Sequence, residues 1–284
     1  MARSNKSIKT DAKPKRRIAE WLSSHFEEAL NAHENLVKMT HLSERAISLT
    51  QAMPNVVKAL QKAMPDGQTR YDNRLQEAEE TASLAKAEIE KSFPILRGQY
   101  VIAMWSWLEY FVKGTLALWL LHNKRAMSVS AIQKLKITGE ALTLSKREQS
   151  HLLVELLEQS QGGAFKQGVN RFENLLEPFG LAGTLPDKLS PILFEMQQVR
   201  NVLAHQNGIA DRRLVTSCPH LKIKAGQRVA ISGAMISRYT RATSAYYLEL
   251  LIRFSALDGI DVSEHRIPLD DIDQNEQTQA APKV

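Results

Sequence analysis

The stretch VIAMWSWLEYFVKGTLALWLL, residues 101–121, is an almost unbroken apolar run. A helix needs roughly 20 apolar residues to span a membrane, so the run is long enough to be a candidate. Glu109 and Lys113 lie near its middle, four residues apart, where they can pair on one helix face but would be costly inside a bilayer. Arg97 and Lys124 flank the run without an orienting bias. The stretch therefore predicts a buried core helix of a soluble helical bundle rather than a membrane span.

The composition predicts an all-α fold with a substantial core. Hydrophobic residues make up 43% of the 284 residues, and only 13 Gly and 10 Pro are present, several of them clustered, which leaves long stretches suited to helices. The single cysteine, Cys218, excludes an intramolecular disulfide framework and a multi-cysteine zinc site, and it favours a reducing cytoplasm. We expect neither a metal nor a cofactor.

The two ends of the chain carry opposite charge and are both predicted to be solvated tails. Residues 1–17 hold seven Lys or Arg against Asp11, and they lack the apolar segment of a secretory signal. Residues 258–284 form an acidic and polar tail. The basic arm could contact nucleic acid by neutralising phosphates, or it could be a solubilising extension, and the sequence leaves both open.

Between the tails, the chain divides into a helical extension, residues 18–93, and a helical domain, residues 94–257. In the extension, residues 73–91 carry a stripe of small and apolar side chains that predicts close helix packing: Leu75, Ala78, Ala82, Ala85 and Ile89. Nothing in the extension suggests chemistry. In the domain, helical stretches are expected around 128–137, 145–159 and 234–254, and a small β-hairpin over 221–231.

Residues 190–205 form the most informative predicted helix. Ser190 and Pro191 are expected to be its N-cap and first residue, and Asn207-Gly208 its stop. One face of the helix is apolar and should meet the core, through Ile192, Met196, Val199 and Leu203. Asn201 and His205 lie about 40° apart on the opposite side, with Arg200 on the flank. An amide, an imidazole and a guanidinium are thus gathered at one helix end.

Arginine and histidine at this spacing occur a second time, at Arg213 and His220. That pair spans Cys218-Pro219, where a helix cannot easily continue. Spacing alone carries little information, because chance predicts such pairs in a chain rich in arginine. The helical context selects Arg200 and His205.

The segment Arg200-Asn201-x-x-x-His205 resembles the Arg-x4-6-His signature of the HEPN superfamily, a fold of four or five helices with this motif on a late helix. The core helix also resembles the family, because Glu109 stands amid apolar and aromatic residues at 106–113. The order of the helices agrees as well, and the resemblance covers about residues 94–257.

The resemblance implies a metal-independent endoribonuclease, a toxin or anti-phage defence factor, in which a 2′-OH attacks the adjacent phosphate. His205 would transfer protons, Arg200 would hold phosphate oxygens and Asn201 would orient either group. Glu109 and Lys113 would support the site or form a structural ion pair.

The resemblance further implies that two copies meet at this helix and that an inhibitory or activating protein partner is possible. Five basic residues just beyond the motif could bind the phosphates of the RNA backbone: Arg212, Arg213, Lys222, Lys224 and Arg228. The alternative function is a non-catalytic HEPN dimer that binds nucleic acid or protein.

Overall fold

The computed structural model describes residues 18–63, 68–162 and 167–269. Within these ranges the chain forms ten α-helices and no strand, so the predicted all-α class is confirmed. The first five helices are α1 (Glu20–Thr50), α2 (Met53–Ala63), α3 (Gln68–Glu90), α4 (Pro94–His122) and α5 (Ser130–Gln133). The other five are α6 (Lys146–Ser160), α7 (Asn170–Leu176), α8 (Leu189–His205), α9 (Arg212–Ser217) and α10 (Gly233–Leu257). The predictions for residues 1–17 and for most of the acidic tail lie outside these ranges.

Helix α4 is the centre of the bundle, as the apolar run predicted. It packs against α1, α6, α8 and α10, and most of its apolar side chains are buried, including Trp105, Leu108 and Phe111. Only a narrow edge of its first half faces solvent, where Tyr110 is 43% exposed. So apolar a helix is stable only when neighbours cover most of its surface. No helix in the described ranges is long and apolar enough to cross a membrane.

Helices α1 to α3 cover most of residues 18–93, the stretch predicted as a helical extension. Helix α1 ends at Thr50 because Pro54 cannot donate to the Thr50 carbonyl, and its ring clashes there. Helix α3 returns along α2 and α1, with Ala78 and Ala85 buried as the small-residue stripe predicted. The first turns of α1 belong to the main core, since Leu22 and Phe26 are buried in the same apolar cluster as α4.

The predicted hairpin over residues 221–231 is wrong. The segment pairs instead with the chain that follows α8, through an isolated antiparallel bridge between Ile209 and Arg228. The Ala210 N–H donates to the Gln227 carbonyl at 2.8 Å, and the Val229 N–H donates to the Gly208 carbonyl at 2.8 Å. The alternation indicated a strand, but only the stretch around Arg228 pairs, and its partner lies earlier in the chain.

The predicted N-cap of α8 is also wrong. The helix begins at Leu189 with Lys188 in the cap position, so Ser190 and Pro191 both lie inside the first turn. Proline is tolerated there because the first N–H groups of a helix have no acceptor within the helix.

A buried histidine on α1 makes the stability of this fold sensitive to pH. Neither ring nitrogen of His33 has a hydrogen-bond partner among the described residues, and the ring packs edge-on against Tyr247 of α10. Burial lowers the pKa of His33. The pKa of His25 is lowered too, mainly by burial, although a bond to the Phe111 carbonyl opposes the shift.

We expect the thermal midpoint to fall as the pH drops below about 6.5, the usual histidine value, because the unfolded chain then binds protons that folded His33 does not. His33→Leu should reduce this dependence and, at neutral pH, stabilise the fold by about 1 kcal/mol, since it removes two unpaired buried nitrogens. Thermal melts at several pH values test this, with the exposed His41→Leu as control. A His33→Leu variant with the wild-type pH dependence would contradict the expectation.

Candidate active site

The predicted site residues lie on the last two turns of α8. Ile192, Met196 and Val199 are buried as expected, and Leu203 is half-buried. The helix ends at His205, and the Gln206 and Gly208 N–H groups both donate to the Val202 carbonyl, at 2.9 and 3.1 Å. Asn207 and Gly208 have positive φ angles of 50° and 74°, which confirms the predicted helix stop.

Arg200 is a half-buried cation without a carboxylate partner among the described residues. Its Nη1 donates to the Asn201 Oδ1 at 3.3 Å, and its Nε is buried without an acceptor in that part of the chain. Most buried guanidinium groups are paired, because an unpaired buried donor is costly. An oxyanion that binds the exposed part of this guanidinium would therefore neutralise a charge that the described residues leave unpaired.

His205 is exposed on the last residue of α8, and Asn201 is half-buried one turn before it. Asn201 accepts the hydrogen bond from Arg200 and so fixes one end of that guanidinium. The structure therefore brings Arg200 and Asn201 into contact and leaves the imidazole open to solvent. Among the described residues, no hydrogen bond joins the His205 ring to either of them, so any joint action takes place on a bound ligand.

Of the predicted RNA-binding residues, Arg228 lies closest to this motif. Its Nη1 donates to the Asn207 carbonyl at 3.0 Å, two residues beyond His205. The bridge between Ile209 and Arg228 explains this position, which a hairpin would not have given. The other four are exposed side chains on α9 and in the turn before residue 226: Arg212, Arg213, Lys222 and Lys224.

Glu109 and Lys113 belong to a separate charge network between α4, α6 and α7. Glu109 pairs with Arg171 at 2.7 Å, Lys113 pairs with Glu158 at 2.8 Å, and Arg171 also reaches Glu158 at 2.6 Å. Burial opposes ionisation of Glu158, but the bonds from Arg171 and Lys113 outweigh it and hold its pKa below the ordinary value. Each of the two predicted supporting residues is thus engaged away from α8, which favours a structural role.

Sequence reasoning missed a second polar cluster, centred on Glu195 of α8. This carboxylate is only 3% exposed. It accepts bonds from Arg238 and from the Tyr239 hydroxyl, at 2.6 Å for the latter, and lies 2.5 Å from the His220 Nε2. The sequence could have indicated this cluster, because Glu195 lies on the same face of the helix as Val199 and Val202. A carboxylate on such a buried face needs a charged or hydrogen-bonding partner.

The Glu195 cluster changes the interpretation of His220 and Cys218. His220, which belongs to the Arg–His pair that the helical context disfavoured, has a side chain that is 57% exposed but bonded to a buried carboxylate. Burial, together with the negative charge of Glu195, raises the pKa of the Cys218 thiol to about 11. The thiol is therefore protonated at neutral pH and is a poor nucleophile.

No family model matches the chain, and neither the curated proteins nor the solved structures include a significant match.

Proposed function

We propose that the chain is a metal-independent endoribonuclease whose catalytic groups are Arg200, Asn201 and His205. The observation that carries the proposal is the state of Arg200: it is half-buried, oriented by Asn201, and neutralised by no carboxylate within the described ranges. An exposed imidazole lies at the end of the same helix. A fixed guanidinium can bind the phosphate, and an accessible imidazole on the same helix can transfer protons, so the two groups can cleave a phosphodiester without a metal.

In the proposed reaction, the ribose 2′-oxygen attacks the adjacent phosphorus and loses its proton to a base. The bond from phosphorus to the 5′-oxygen breaks, and that oxygen takes up a proton. Arg200 binds the non-bridging oxygens as negative charge develops on them. His205 serves in proton transfer. The products are a 2′,3′-cyclic phosphate and a 5′-hydroxyl.

One imidazole cannot serve as base and acid at the same moment. We propose that a second copy of the chain places its own His205 beside the first, with the ends of the two α8 helices near a two-fold axis. The support is that Ala204 and His205 are exposed and leave this helix end accessible. Arg228, held against Asn207, would bind the RNA backbone next to the reacting phosphate.

The enzyme should cleave RNA but not DNA of the same sequence, and cleavage should persist in EDTA. DNA lacks the 2′-oxygen that the reaction needs. The experiment uses end-labelled single-stranded RNA and DNA, each with EDTA and with Mg²⁺. Cleavage of DNA, or loss of RNA cleavage on chelation, would contradict the proposal. RNA binding without cleavage in every condition would favour the binding-module alternative.

A further inference from the structure

Helices α1 and α2 carry an exposed apolar stripe with strict heptad spacing. Its members follow one another at intervals of three and four residues, and we call them the outer seam: Met39, Leu42, Ala46, Leu49, Met53, Val56 and Leu60. All seven are exposed, and Leu49 reaches 71%. Isolated exposed apolar residues are ordinary, but a continuous row of seven is not.

A second stripe, shifted by one residue, faces the rest of the protein. Each of its members is buried or half-buried: Thr40, Ser43, Ile47, Thr50, Pro54, Val57 and Gln61. Helix α3 packs along this side, with Lys58 paired to Glu79 and Gln61 bonded to Asp72. The α1–α2 unit therefore has two adjacent helix-packing faces, of which α3 and the core occupy one.

The break between α1 and α2 does not disturb the seam. The Gln51 N–H still donates to Ile47, at 3.3 Å, and the Ala52 N–H donates to Leu49, at 3.0 Å. The backbone at Gln51 remains in the right-handed helical region. The chain thus keeps turning in the same sense through the break, and members on both sides of it are exposed.

We infer that the outer seam is an interface and that its occupant is the same seam of a second copy of the chain. Alternating intervals of three and four residues make an average repeat of 3.5, which is the repeat of helices that pack as coiled coils. A helix is therefore the partner that fits. Residues 1–17 and 270–284 hold too few apolar residues to supply that helix.

Charge and area both permit the second copy. The charged residues next to the seam are Lys38 and Arg45. If the two helices run parallel, Lys38 lies opposite Ser43 of the second copy and Arg45 lies opposite Thr50. If they run antiparallel, the opposite residues are Ala59 and Ala52. Like charges do not meet in either arrangement. Complete burial of the seam in both copies would remove at most about 1,200 Å² from solvent, at the lower end of the range for specific interfaces.

Sedimentation velocity of the full chain, up to about 100 µM, tests this inference. In an Ala204→Glu background, in which the α8 ends cannot pair, the chain should still be a dimer. Leu49→Glu and Leu42→Glu should each raise the dissociation constant at least 100-fold, because each buries a carboxylate in the seam, while circular dichroism stays unchanged since both side chains are exposed. The matched control is Leu84→Glu on α3, which is 72% exposed and lies outside the seam; it should remain dimeric.

The inference does not depend on the ribonuclease proposal, because the Ala204→Glu background removes the α8 pairing and leaves only the seam to hold two copies together. A wild type that is monomeric at the highest concentration would overturn it. So would a Leu49→Glu variant that, in the Ala204→Glu background, associates as tightly as its parent. Ala204→Glu, at the exposed end of α8, tests the other surface: if it alone abolishes association, the dimer forms there and the seam is not the interface.

Discussion

His205→Ala should lower the rate of RNA cleavage by on the order of 10²–10⁴-fold, the range for loss of a group that transfers protons. The imidazole is exposed at the end of α8, so its removal opens no cavity, and the free energy of unfolding should change by less than about 1 kcal/mol. Single-turnover cleavage and thermal melts of the same preparation separate the two effects.

Arg200→Ala should cost a similar factor, because the guanidinium would stabilise charge that grows on the phosphate during the reaction. Arg200→Lys should restore little, since an ammonium cannot form the planar two-point contact. Two exposed residues provide controls, Arg213→Ala and His265→Ala. Arg213→Ala should leave the chemical step intact and weaken RNA binding and its salt dependence. Wild-type rates in both Arg200 and His205 variants would show that the site lies elsewhere.

The second large effect should be on stability. Glu195→Ala should reduce the free energy of unfolding by about 3–5 kcal/mol, because it removes a buried carboxylate that accepts bonds from Arg238 and from the Tyr239 hydroxyl. His220→Ala should cost less, since its side chain is 57% exposed. Denaturant unfolding measures both changes.

The matched control for Glu195 is Glu264→Ala, whose side chain is 81% exposed and should contribute less than about 0.5 kcal/mol. Equal stability of Glu195→Ala and the wild type would contradict the structural role of the cluster. Reduced cleavage by His220→Ala at an unchanged thermal midpoint would give this histidine a direct part in the reaction.

Local patterns predicted the features that depend on one segment of chain. The apolar run at 101–121 indicated α4 because so apolar a helix must be largely buried, and the end of α8 followed from Asn207 and Gly208. The small-residue stripe indicated the packing of α3 because small side chains on one face let a neighbouring helix approach closely. In each case the physical cause lies within a few turns of helix.

Features that depend on distant partners could not be predicted in this way. Glu109 pairs with Arg171, 62 residues away, and the strand-like segment near Arg228 pairs with residues that precede it by about 20. The role of Glu195 depends on Arg238, 43 residues further along. The sequence showed the capacity of these residues to form bonds, but only the packing of the helices determines their partners.

The chemical structure of the cleavage products tests the central proposal most directly. Mass spectrometry of an RNA oligonucleotide incubated with the protein in EDTA should show fragments that end in 2′,3′-cyclic phosphate, matched by fragments that begin with 5′-hydroxyl. Over the same short incubation, His205→Ala should yield less of both by a factor on the order of 100 or more. Fragments that begin with 5′-phosphate, or the same fragments in undiminished yield from His205→Ala, would contradict the assignment of this site.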